Sequence, residues 1–213
     1  MSDFRPHQFI AALALVLCAL PLVGAFAQAR NAEPLRKVSA AELLQELRKG
    51  GYILYFRHTA TDFSNGDDAM TSFEDCASQR NLTEAGHAQA RAIGEAIRAL
   101  AIPVGEVIAS PHCRTVETGM LIFGRAQKHN DVRGGPGTAS SPDRYAGLRE
   151  LLSASSPAGT NLAISSHGNP FHAVAGAPYL AEGEAAIVRP LGKDFEVAAR
   201  IRSEGWSALQ PTR

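Results

Sequence analysis

Three short stretches of the chain end apolar runs on residues suited to a multiply charged anion: Arg57-His58, Ser110-Pro-His-Cys-Arg114 and Ser166-His167. Two guanidiniums meeting at one point form a receptor for a tetrahedral anion, because their planar forks match paired oxygens. An imidazole beside them ionises ordinarily near pH ~6.5. It is nucleophilic when neutral, and neighbouring cations favour that form. A second imidazole can donate to a phosphoryl oxygen and spread its charge. The set suits phosphoryl transfer through histidine, a scheme that calls for no metal and no cofactor. It also needs an acid to protonate the leaving alkoxide. Each stretch alone has a plainer explanation, since a strand must leave the core somewhere, so the elements that carry them decide.

Apolar periodicity supplies those elements. YILYF (Tyr52 to Phe56) is an aromatic and β-branched run suited to a buried strand, and it finishes on Arg57-His58. VGEVIA (Val104 to Ala109) is a second strand leading through Ser110-Pro111 towards Arg114, and NLAIS (Asn161 to Ser165) a third, followed by His167-Gly168. Ser39 caps a helix with the stripe Leu43, Leu44 and Leu47, stopped by Gly50-Gly51. Thr83 caps a longer one with Ala90, Ile93, Ile97 and Leu100 on one side, closed by Pro103. Further helices are expected from about Arg114 and over Tyr145 to Leu152, and AAIVRPLG with FEVAARI reads as a closing hairpin or edge strands. Strands alternating with helices imply a mostly parallel sheet covered on both faces, an α/β/α sandwich. Ligands bind beyond the carboxyl ends of such strands, which is where both arginines and both histidines fall.

The chain has 213 residues, 45% of them hydrophobic, and Lys+Arg balances Asp+Glu at 21 each. Such neutrality gives no long-range attraction to nucleic acid or an anionic membrane. Residues 1–27 read as a signal peptide: Arg5, then the apolar run FIAALALVLCALPLVG, then Ala25-Phe26-Ala27 as a cleavage site. An uncleaved anchor is the alternative, because the run approaches the ~20 residues that span a bilayer. Export to a periplasm or beyond is expected, leaving 28–213 as one domain with no membrane attachment. Cleavage removes Cys18 and leaves Cys76 and Cys113, an even pair in an oxidising compartment. A disulfide between them is expected, with two separate buried thiols as the alternative.

Taken in order, Arg57-His58 after a strand, NLTEAGHAQA, Ser110-Pro-His-Cys-Arg114-Thr-Val-Glu-Thr and Ser166-His167-Gly resemble the histidine phosphatase superfamily, the phosphoglycerate mutase-like proteins, branch 1. The resemblance runs from about Tyr52 to Gly168. It implies a three-layer α/β/α sandwich and a phosphohistidine intermediate on His58. It also implies that Arg57 and Arg114 hold the phosphate, with His167 as the second histidine of the pocket. Two departures stand out. Thr59 replaces the family's usual glycine after Arg-His, and no acid follows His167 directly. In the branch this fits, the acid lies between Arg114 and His167, where Asp131, Asp143 and Glu150 are candidates; Glu182 and Glu184 come later and Asp62 lies close to His58. Glu184 and Asp62 are placed first among them.

Other residues have ordinary readings beside functional ones. His172 lacks the spacing and glutamate of helical zinc pairs, so no metal site is expected. His112 can reach a pocket rim. Glu117 and Thr118 can orient the Arg114 guanidinium, and Arg80 is either a surface residue or an extra cation. The leading expectation is an exported phosphomonoesterase acting on a small phosphorylated substrate. A phosphomutase and a catalytically weak phosphate-binding module on the same fold are the alternatives.

Overall fold

In a computed structural model of the chain, residues 39–135 and 143–209 are described, besides Met1. Contacts divide the chain into Met1–Pro34 and Leu35–Arg213; apart from Met1, the expected leader at 1–27 lies outside the described residues.

Among the described residues six strands form one sheet: β1 (Ile53–Arg57), β2 (Val104–Ala109), β3 (Gln127–Lys128), β4 (Asn161–Ser166), β5 (Ala185–Pro190) and β6 (Phe195–Ile201). Their spatial order is β3-β2-β4-β1-β5-β6. β1, β2, β3 and β4 run parallel, while β5 and β6 add an antiparallel hairpin at one side. Among the described residues five α-helices cover the sheet: α1 (Ala40–Lys49), α2 (Glu84–Ala99), α3 (Cys113–Phe123), α4 (Ala146–Ser153) and α5 (Gly168–Ala175).

Strand β1 shows why the sandwich has three layers. Leu54 and Phe56 point to one core with Leu47, Ile93, Ile97 and Trp206. Ile53 and Tyr55 point to the opposite core with Leu148, Ile164 and Phe171. Both faces are dry, so the run is continuously apolar instead of alternating. The expected helix starts are present: Ser39 and Glu42 form a reciprocal capping box on α1, and the Thr83 hydroxyl accepts from Gly86 N on α2.

The sequence-based expectation differs in two elements. β3 is a two-residue edge strand of exposed polar residues, and α5 begins immediately after His167. Among the described residues no helix is long and apolar enough to cross a membrane.

Candidate active site

The carboxyl ends of β1, β2 and β4 lie side by side, with Arg57 paired to Ser166 and Ala109 to Ser165. That register delivers Arg57-His58, Ser110-Pro111 and His167 to one edge, as the topology rule requires. A cavity of about 360 Å³ opens there. Its walls include Arg57, His58, Arg114 and His167, the four residues singled out in the sequence, together with Asp67, Arg80, His112 and Arg133.

His58 is 1% exposed, and its backbone N–H donates to Ser166 O at 2.9 Å. Its ring Nδ1 lies 2.9 Å from Thr59 O. A carbonyl only accepts, so Nδ1 carries the proton and Nε2 keeps its lone pair. Burial, with Arg114, Arg57 and Arg80 adding to it, pushes the ring down to about 3, so it is neutral at pH 7. Glu182 Oε1 stands 3.8 Å from Nδ1. With the ring neutral, that approach is not an ion pair. The same carboxylate accepts from Thr61 Oγ1 at 2.6 Å and faces Arg57 Nη2 at 3.5 Å. Arg57 also donates to Leu180 O at 2.8 Å.

Arg114 comes from the first turn of α3. Thr115 Oγ1 lies 2.7 Å from both Ser110 O and His112 O, and Thr118 Oγ1 donates to Arg114 O at 2.7 Å. Cys113 N donates to the buried Gln79 Oε1 at 2.9 Å, and Cys113 is bonded to Cys76 with Cα atoms 5.7 Å apart. The expected disulfide is therefore present, and it clamps the 59–80 loop to the arginine-bearing helix. From that loop Asp67 meets the Arg114 guanidinium with two bonds of 2.9 Å. Burial acts against this carboxylate, but its bonds from Arg114 and Arg80 N outweigh it and hold Asp67 below its ordinary range.

The remaining wall is imidazole and arginine. Ser110 Oγ bridges His167 Nε2 at 2.8 Å and His112 Nδ1 at 3.1 Å. Burial, aided by Arg114, lowers His112 to about 4 and His167 well below its ordinary value. Four arginines then face two carboxylates, Asp67 on Arg114 and Glu182 beside Arg57, with all three histidines neutral. Among the described residues the Nε atoms of Arg57, Arg80 and Arg114 are buried without partners. The positive ends of α3 and α5 add to the same field.

Several expectations need correction. Glu184 does not line the cavity: it is 8% exposed and its carboxylate accepts from Ala181 N at 2.7 Å, closing the turn before β5. Asp62 is spent on a local turn, accepting from Ser64 and Asn65. Asp131, Asp143 and Glu150 are also absent from the wall, and Asp143 pairs with Arg149. Glu117 turns to His87 Nε2 at 3.0 Å instead of orienting Arg114, a role that Asp67 fills. The sequence reading missed Asp67 and Arg133 and left Arg80 open, because a polar loop has no periodicity to place its side chains. Thr59 fits without strain: it is fully buried and its hydroxyl meets Thr118 Oγ1 at 3.3 Å, tying the first motif to α3.

The comparisons with known proteins bear on the family and the fold. The family model "Histidine phosphatase superfamily (branch 1)" matches residues 53–135. Among curated proteins, none matches the chain. Among solved structures, a mycobacterial glucosyl-3-phosphoglycerate phosphatase with inorganic phosphate is similar at 15% identity and TM-score 0.51, over 70% of this chain and 96% of that one. A phosphoserine phosphatase mutant of Entamoeba histolytica in complex with phosphoserine is 11% identical at TM-score 0.50, over 72% and 98%. A phosphoglycerate mutase of Bacillus anthracis is 12% identical at TM-score 0.50, over 77% and 98%. At such identities the likeness is one of fold. Residues 53–135, which hold the first arginine–histidine pair and the second arginine, match the model of the histidine phosphatase superfamily, branch 1, and the fold that carries them is phosphoglycerate mutase-like.

Proposed function

We propose that the chain is an exported phosphatase that hydrolyses a small phosphomonoester through a phosphohistidine on His58. One observation carries this reading. A neutral imidazole with a free Nε2 stands in the same cavity wall as Arg57, Arg80, Arg114 and His167. The arginines hold the phosphoryl oxygens. Nε2 attacks phosphorus as the ester P–O bond breaks, and the positive charge that develops on the ring is met by Thr59 O and the nearby Glu182 carboxylate. His167 helps to spread the negative charge on the transferring group.

The acid in this scheme is Asp67, the one carboxylate among the described residues lining the cavity. When phosphate takes over the Arg114 fork, Asp67 loses its cation and comes to face a dianion. Both changes raise its proton affinity. Protonated, it gives that proton to the leaving oxygen. Ionised again, it takes one from the water that cleaves the P–N bond, and the products are alcohol and inorganic phosphate. Export is supported by the leader-like N-terminus and by the Cys76–Cys113 bridge, a bond that persists in oxidising compartments.

The test compares hydrolysis of p-nitrophenyl phosphate by the wild type and His58→Ala, with acid-quenched samples assayed for an acid-labile protein phosphate. A loss on the order of 10³-fold or more in the variant, with label found only on the wild type, is expected. A His58→Ala variant of wild-type activity overturns the mechanism. An inert wild type that still binds phosphate makes the chain a binding module.

A further inference from the structure

The positive charge of the cavity is unevenly compensated: Asp67 pairs with Arg114 and Glu182 stands beside Arg57, whereas Arg133 has no carboxylate partner among the described residues. A bound monoester carries a charge of about −1.5 to −2 near neutral pH. Arg57, Arg80 and Arg114 surround His58 electrostatically, whereas Arg133 bears on His112. The geometry separates them in the same way. From His58 the ring centroids step to His167 at 5.6 Å, on to His112 at 4.7 Å and on to Phe73 at 4.9 Å. The Arg133 guanidinium lies over that last ring at 5.7 Å. Arg133 thus ends a row of aromatic rings that begins at the nucleophile.

Arg133 is held in place but not neutralised. Its segment is fixed by Val132, fully buried in the core, and by Ser166 Oγ, which donates to Val132 O. Arg144 Nη2 donates to Arg133 O at 2.9 Å. The guanidinium itself reaches only Gly134 O, at 3.3 Å, and has no carboxylate partner among the described residues. The stretch 136–142 that follows contains no Asp or Glu. Gly135 keeps this cation uncovered: at φ +116° it has no side chain, and a Cβ there would stand 3.2 Å from Arg133 Nη1. A half-buried guanidinium on a cavity wall, with no carboxylate partner among the described residues, is a site for an anion brought from outside.

We propose that Arg133 binds a second anionic group on the leaving part of the substrate, so that the substrate class is a phosphomonoester carrying a carboxylate or a second phosphate. This rests on the reading of the His58 end as the phosphoryl pocket. Arg133 then determines specificity, and substrates with neutral leaving groups use only part of the site.

The experiment is calorimetric titration of the wild type, Arg133→Gln and Arg133→Lys with three small probes at one ionic strength. Methylphosphonate carries one anionic group, phosphonoacetate adds a carboxylate, and methylenediphosphonate adds a second phosphonate. The wild type is expected to prefer at least one bifunctional probe over methylphosphonate by about tenfold, equivalent to ~1.4 kcal/mol. Arg133→Gln should bring that ratio close to unity, and Arg133→Lys should keep part of it. The probe that loses its preference tells carboxylate from phosphate. No preference in the wild type, or an equal preference in Arg133→Gln, overturns the assignment. If Arg133→Gln fails to fold, as its melting curve would show, Arg133→Lys carries the comparison, and an undiminished ratio there overturns it. Failure of methylphosphonate and inorganic phosphate to bind the wild type at all refutes instead the phosphoryl pocket on which the proposal stands.

Discussion

Asp67 and the substrate phosphate compete for the same guanidinium. With both oxygens of Asp67 on Arg114 at 2.9 Å, an incoming phosphate must displace a charge-assisted pair, so the carboxylate lowers affinity before it serves chemistry. Asp67→Asn weakens that competition and also removes the proton carrier, and the two effects separate in kinetics. Inorganic phosphate should inhibit the variant more tightly. Turnover of an alkyl phosphate should fall by about 10²-fold or more, while p-nitrophenyl phosphate, whose leaving group needs no proton, loses much less. Equal losses on both esters would remove Asp67 from proton transfer. Glu184→Gln provides the contrast: its carboxylate caps Ala181 N, so the change should act on melting temperature and spare the difference between the two esters. Arg57, His58 and His167 were legible because they end or follow apolar strand runs, and Arg114 because it opens the helix after β2. Asp67, Arg80 and Arg133 sit in loops, where position follows from tertiary contacts that no spacing encodes.

At the scale of elements, two contacts hold the halves of the pocket together. The Cys76–Cys113 bridge closes a loop of 37 residues. Restricting such a loop in the unfolded chain contributes about 4 kcal/mol in the chain-entropy model. Reduction should therefore lower the melting temperature by about 10 °C and loosen the loop that carries Asp67 and Arg80, weakening phosphate binding. Unchanged melting and affinity after verified reduction would contradict the clamp. The second contact is the approach of α2 to the segment after His58. A Cβ at Gly86 would overlap Ala60 O and its carbonyl carbon, while Thr83 N already donates to Ala60 O at 3.0 Å. Gly86→Ala should cost about 1–3 kcal/mol by overpacking and reduce turnover with it, measured by urea unfolding and ester hydrolysis. Among the elements, α1, α2, β2 and the β5–β6 hairpin were readable from caps and periods. β3 was too short to leave a pattern, and α5 was hidden because its first turn contains Gly168 and Pro170. Strand order was not readable either, since β1 lies between β4 and β5, far apart from both in sequence.

For the whole molecule, burying three imidazoles next to four arginines makes folding sensitive to acid. Their folded values lie below the ordinary one: about 3 for His58, about 4 for His112, and well lowered for His167, with burial the leading cause in each. In the unfolded chain these rings take up protons below about pH 6.5. The unfolded state then binds more protons than the folded one, so stability falls as pH drops through that value. The loss from each ring continues until its own folded value is reached, about 4 for His112 and about 3 for His58. Carboxylates contribute mainly nearer their own ordinary values, about 4, so the window from pH 6.5 to 5 reports chiefly on the histidines. Each ring adds at most ~1.4 kcal/mol per pH unit there. Urea unfolding of the wild type at pH 7, 6 and 5 should show this decline, and His112→Asn should make it shallower by one ring's share. Saturating inorganic phosphate should flatten it further, because an anion in the cavity offsets the cost of an imidazolium. Stability that stays level from pH 7 to 5 without phosphate would mean that the imidazoles are not held neutral, and the nucleophile on which the mechanism depends would be lost with them.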